Sequence, residues 1–197
     1  MGEPERAKAV DTSVDVSAAV IAVPKQVTLW THGHSLSVES AEYPLIDSKP
    51  NALLLPNKTA VRILCFGWGV EIYMGPSNND GIPREEKLWI HYAVPTPSLL
   101  YDKPVKAQQL IIRALGSANP GVTLGGIHVY DGPKNILADN QYVNAYPQGF
   151  LKRFMPQPFP TIEFGIGVSL LVIGDRATWD HKLTIHSVGM EFLTKSH

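Results

Sequence analysis

From Ile162 to Val172 every second residue is bulky and apolar: Ile162, Phe164, Ile166, Val168, Leu170 and Val172. That period of two belongs to an extended strand, whose successive side chains leave opposite faces. The alternation returns elsewhere. Trp30, His32, His34, Leu36 and Val38 share one parity, while Thr31, Gly33, Ser35 and Ser37 share the other. KLWIHYAV and GVTLGGIHVYDG read as strands, and so does HKLTIHSVGMEFL, which sets Leu183 and Ile185 opposite His186, Val188, Met190 and Phe192. TAVRILCFGWGVEIYM favours one long strand, or a strand bent near Gly67 and Gly69. VKAQQLIIRAL fits a helix or a strand, and its neighbours favour the strand.

Between these runs lie turn formers. A Pro-bearing loop occupies roughly 40–56, and GPSNNDGIPREE combines Gly, Asn-Asp-Gly and Pro. The stretch from Asp131 to Pro160 is rich in turns and aromatic residues, with space for a short helix near ILADNQYV. Roughly seven to nine strands joined by such turns predict an all-β chain, an antiparallel, jelly-roll-like β-sandwich with a long, partly irregular loop at 131–160. Residues 1–14 form a polar lead. VSAAVIAV could supply a first strand of a single domain spanning 15–197.

Charge narrows the partners. Seventeen basic and eighteen acidic residues leave a net charge of -1, too little field to draw the chain onto nucleic acid or an anionic membrane. The one cysteine, Cys65, sits in the apolar run AVRILCFGWGV, which suits a buried free thiol and a reducing compartment. The N-terminal stretch lacks the pattern of a secretory signal, so a cytoplasmic location is expected. No phosphate-cradling loop or dinucleotide fingerprint occurs, and GPSNNDGIP lacks the full spacing of a calcium loop.

Ring-bearing residues suggest a binding surface. Trp68, Trp89, Tyr92, Tyr130, Tyr142 and Tyr146 could cover the apolar faces of a ligand, and Asp131 could fix its polar groups with Asn78, Asn79, Asp80 and Asn140. At the end of a strand Asp131 also fits a turn, accepting backbone hydrogen bonds beside Gly132. Glu163 and Glu191 interrupt apolar strands and are candidates for proton transfer. Cys65 and Ser187 lack the surroundings of an activated nucleophile.

His32 and His34 would point to one face of a regular strand, about 7 Å apart along the backbone. With Glu39 they resemble part of the first metal motif of the cupin family, in which two histidines separated by one residue precede a glutamate. The resemblance implies a divalent transition metal held by His32, His34 and Glu39, with His128 as a further ligand. The motif's glycine positions hold Gln26 and Ile46, and GGIHVYDGPKN lacks the Pro-x-Gly that precedes the last histidine. The leading expectation is therefore a small-molecule or carbohydrate-binding protein without a cofactor. The alternatives are a metal-dependent cupin-like enzyme and a metal-free enzyme acting on a hydrophobic small molecule. Exposed strand edges could also pair two copies in a homodimer.

Overall fold

A computed structural model describes residues 26–39, 52–54, 60–74, 85–97, 99–100, 103–116, 121–140, 149–175 and 181–194. These contain thirteen strands and no helix: β1 (Gln26–His32), β2 (Leu36–Val38), β3 (Ala52–Leu54), β4 (Ala60–Phe66), β5 (Gly69–Met74), β6 (Glu85–Val94), β7 (Leu99–Leu100), β8 (Lys103–Gly116), β9 (Val122–Asp131), β10 (Lys134–Asp139), β11 (Gly149–Phe154), β12 (Ile166–Asp175) and β13 (Lys182–Thr194). The larger sheet has the order β11-β8-β13-β5-β4-β3, with β1 also on β13 and β7 on β8; the smaller runs β10-β9-β12-β6-β2. Neighbouring strands pair antiparallel, and the chain changes sheet repeatedly, for example from β1 to β2, from β5 to β6 and from β12 to β13. The result is the expected jelly-roll-like β-sandwich. The proposed first strand VSAAVIAV and the lead at 1–14 lie outside the described residues.

Alternation explains the two layers. Inward side chains of the larger sheet, among them Ile72, Leu110, Ile112, Met190 and Phe192, meet Ile90, Ile127, Val129, Val168, Leu170 and Val172 of the smaller in one buried cluster. Removing each such side chain from water contributes about 1.5–3 kcal/mol before the cost of ordering the chain. At the open margin, Arg153 on β11 donates through Nε to the Asp139 carboxylate on β10 at 2.7 Å, tying the two sheets together.

β13 departs from simple alternation, and the departure organises the larger sheet. Leu183 and Ile185 are fully buried, and so are Val188, Met190 and Phe192, which carry the opposite parity. Opposite β8 the register slips between Ile185 and Ser187, so His186 is the extra residue of a β-bulge that returns both apolar sets to the core. The other edge of β13 is shared end to end. β5 pairs from Lys182 to Ile185, and β1 pairs from Ser187 to Leu193. Where these two meet, the Gly33 N–H donates to the His186 carbonyl at 2.8 Å.

Several local expectations change. Ala52–Leu54, read as loop, pairs with β4, and the run expected to form one long strand, or a strand bent near Gly67 and Gly69, is the β4–β5 hairpin, which reverses through Gly67 and Trp68. Of the stretch ILADNQYV, Ile136–Asp139 lie in strand β10 rather than a helix, because Ile136 and Leu137 pack on the core while the strand pairs with β9; 141–143 lie outside the described residues. Tyr142 and Tyr146 lie outside the described residues, as do Asn78, Asn79 and Asp80. Cys65 is exposed rather than buried: β3 covers only Ala60–Arg62 of β4, so the last residues of that strand pass beyond it. Phe164 is exposed although it fits the alternation of β12, because that strand starts only at Ile166.

The close seating at the bulge is testable. A Cβ on Gly33 would stand 1.9 Å from the Ile185 carbonyl oxygen, a backbone atom that cannot rotate away, whereas a Cβ on Gly67 meets nothing within 4 Å. Gly33→Ala is expected to lower the unfolding free energy by about 2–3 kcal/mol, and Gly67→Ala to change it by less than about 0.5 kcal/mol. Urea denaturation of the two variants checks the contrast.

Candidate functional site

The described sequence-derived candidates separate into five settings. Tyr92 faces the core from β6 and donates its hydroxyl to the Gly33 carbonyl at 3.0 Å, so it joins the smaller sheet to the turn after β1. Burial pushes its phenol far above the usual range, reinforced by Cys65. This is a structural role, not a ligand contact.

Asp131 is structural as well. It is 3% exposed, and its carboxylate accepts the backbone N–H groups of Glu163, Phe164 and Gly165 at 2.8–2.9 Å. Burial pushes the carboxyl up, but the three backbone donors and Lys134 outweigh it and hold the group below its ordinary range. The carboxylate thus shapes 163–165 into a bend, which keeps β12 from starting earlier and leaves Phe164 outside. A folded-state pKa below the unfolded one means that this stabilisation is present above the usual carboxylate range and disappears as pH falls through the lowered value. Asp131→Asn is expected to cost about 2–3 kcal/mol at neutral pH, since the amide presents donors to donors. The gap to the parent should narrow in denaturation experiments as the pH is lowered below the usual carboxylate range, because the parent then loses this stabilisation while the amide does not titrate.

The expected metal ligands occupy three places. β1 ends at His32, and the chain turns through Gly33 and His34, closed by Ser35 N–H donating to the His32 carbonyl at 3.0 Å. The regular strand that would align both imidazoles therefore stops between them. Their rings still lie 4.2 Å apart, with the His34 N–H directed at His32 Nδ1 at 3.4 Å. Glu39 lies instead by His91 Nε2 at 3.8 Å, and His128 bonds Asn140 Oδ1 at 2.7 Å. Among the described residues no three His, Cys, Asp or Glu side chains gather so as to hold a metal ion.

The smaller sheet's outer face collects Trp89, His91, His128, Tyr130 and Ser169. Ser169 on β12 is opposite both His91 on β6 and His128 on β9. Trp89 tilts against His128 with centroids 4.7 Å apart, Tyr130 Oη lies 3.4 Å from His128 Nδ1, and Ser169 Oγ lies 2.8 Å from His91 Nδ1. The polar groups here are largely directed at one another.

Trp68 belongs to a different place, the outer face of the larger sheet. It is 46% exposed at the tip of the β4–β5 hairpin, and Phe66 braces its ring in parallel, 4.8 Å away. A pocket of about 340 Å³ opens beside it, lined by Trp68, Glu71, Leu115, Lys182, Thr184 and His186. Pairing brings these together: Thr184 on β13 faces Glu71 on β5 on one side and Leu115 on β8 on the other. His186, pushed out by the bulge, lies 2.9 Å through Nδ1 from the Trp68 carbonyl. A carbonyl only accepts, so Nδ1 carries the proton and a neutral ring keeps Nε2 as an acceptor.

Glu71 is 6% exposed and holds two partners, Lys182 Nζ on one oxygen and the Tyr73 hydroxyl on the other at 2.5 Å. Burial pushes its carboxyl up, yet Lys182 and Tyr73 outweigh burial and the group lies below its ordinary range; Glu71 in turn holds Lys182 above its own. Both remain charged near neutrality. A proton-transfer catalyst needs a group poised near the working pH, and neither fits that role.

Sequence reasoning named Trp68 and missed Glu71, Lys182, Thr184 and His186. The signal was the alternation itself: Glu71 interrupts Val70, Ile72 and Met74, and Lys182 and Thr184 flank Leu183. What it lacked was the pairing of β5 with β13.

No known family model matches the chain, and no curated protein matches it in sequence. Among solved structures it is similar to a carbohydrate-binding module, TmCBM27, described for specific mannan recognition. The identity is 10% and the TM-score 0.38, over 87% of this chain and 99% of that one. The similarity is too loose to carry a function across.

Proposed function

We propose that this β-sandwich binds a carbohydrate, or a closely related hydroxylated small molecule, in the Trp68 pocket. The observation that carries the reading is the union of an exposed, braced indole with ionised and hydroxyl-bearing groups around one concavity. A volume of about 340 Å³ falls at the lower end of small-molecule sites. A sugar presents an apolar ring face and a rim of hydroxyls, and the pocket's lining holds both an aromatic ring and polar side chains. Trp68 would cover the ring face. Lys182 has ammonium donors beyond the one it gives Glu71, and each carboxylate oxygen of Glu71 can accept more than one hydrogen bond. Thr184 and His186 Nε2 add a hydroxyl and an acceptor. Charge-assisted bonds of this kind fix orientation.

The outer face of the smaller sheet supports such a ligand less well, because His128, Tyr130 and Asn140 are engaged with one another, as are His91 and Ser169. The charged state of Glu71 and Lys182 favours recognition over proton transfer.

Calorimetric titration of the protein with a panel of single sugars and soluble polysaccharides tests the reading. At least one member should bind, and Trp68→Ala should weaken it by about tenfold or more, with Lys182→Met reducing affinity through lost hydroxyl contacts. Trp68→Ala should unfold at the parent's temperature within a few degrees, whereas Lys182→Met, which strips the buried Glu71 carboxylate of its counter-charge, should unfold earlier and is titrated well below its transition. Binding that survives Trp68→Ala unchanged would move the site elsewhere.

A further inference from the structure

Trp30 stands on the same outer face as the pocket, farther along β13. It pairs with Gly189, and its indole lies directly on that glycine: a Cβ there would come within 2.5 Å of Trp30 Cε3 and 2.7 Å of Cδ2. With no side chain beneath it the ring rests against the backbone of the sheet, yet Trp30 remains 41% exposed. A large aromatic residue laid on a strand and open to solvent is a second stacking surface.

The ground between the two indoles is polar. Ser187 on β13 is opposite Arg113 on β8 and His32 on β1, so these three polar residues form one row across the strands, with the Arg113 guanidinium over the Phe150 ring of β11 at 5.8 Å. This row falls between His186, which contacts Trp68, and Gly189, which carries Trp30. His186 and Gly189 are separated by about 10 Å of strand rise. That is more than one pyranose ring can bridge and within reach of a short chain of linked rings.

We infer that the ligand is a linear polysaccharide lying along β13, stacked on Trp68 at one end and on Trp30 at the other, with its hydroxyls over Arg113, Ser187 and His32. The inference deepens the reading of the Trp68 pocket and depends on it. It changes the ligand class from a single sugar to an extended chain, and it gives His32 a contact with a hydroxyl.

The test is calorimetry on the full chain with gluco-, manno- and xylo-oligosaccharides, each from the single sugar to the hexamer. In a series that binds, affinity should climb by about tenfold or more as the chain grows long enough to reach Trp30, then level off. Trp30→Ala should remove that gain while leaving the affinity for the shortest bound sugar at the parent's value, which also shows that the variant is folded. Trp30→Phe should restore part of the gain, since a ring is kept. Equal affinity for short and long sugars, or a length-dependent gain that persists in Trp30→Ala, overturns the extended chain while the Trp68 pocket stands. Failure of every series to bind overturns both.

Discussion

The bulge at His186 is the constraint on which the larger sheet depends. One extra residue in β13 lets Leu183 and Ile185, and then Val188, Met190 and Phe192, all face the core despite their opposite parity. Without it, one set or the other would face solvent, and each exposed side chain would forfeit about 1.5–3 kcal/mol of burial. The same residue separates β5 from β1 along one edge of β13 and offers its carbonyl to Gly33. Tyr92 then binds the Gly33 carbonyl from the opposite sheet. Register, the junction of two strands and a link between the layers all converge on a few atoms.

The bulge also shapes the outer surface. By extruding the imidazole of His186 it provides a bond to the Trp68 carbonyl, which positions the hairpin tip over β13. The pocket beside that tip follows from the side chains that alternation sends outward, Glu71, Lys182 and Thr184. Beyond the bulge the outward positions are small, Ser187 and Gly189, and the indole of Trp30 settles on the second of them. A core requirement and a candidate binding surface thus share one irregularity.

Much of the architecture was legible because period-two patterning survives single substitutions. β6, β9, β12 and β13 stand near where alternation put them, and the sandwich of antiparallel strands followed from their number and turns. Failures occurred where tertiary contacts override the pattern. Phe164 has the right parity but Asp131 pulls its backbone into a bend, and Ile136–Asp139, which could open a helix, are drawn into β10 by pairing with β9. The site was harder to read. Trp68 was singled out for its ring, whereas Glu71 and Lys182 lie far apart in sequence and meet only through the register of β5 and β13. His32 and His34 suggested a shared strand face until the turn at Gly33 interrupted it. Asp131 and Tyr92 carried the chemistry of ligand residues and turned out to bind the protein's own backbone.

The central claim is that ligand is met on the outer face of the larger sheet. The protein contains four tryptophans, each with an indole N–H that gives its own nuclear magnetic resonance signal. On saturation with the tightest-binding oligosaccharide, the signals of Trp68 and Trp30 should shift and that of Trp89, on the opposite sheet, should stay in place. A shift confined to Trp89, with Trp68 unmoved, would contradict the account.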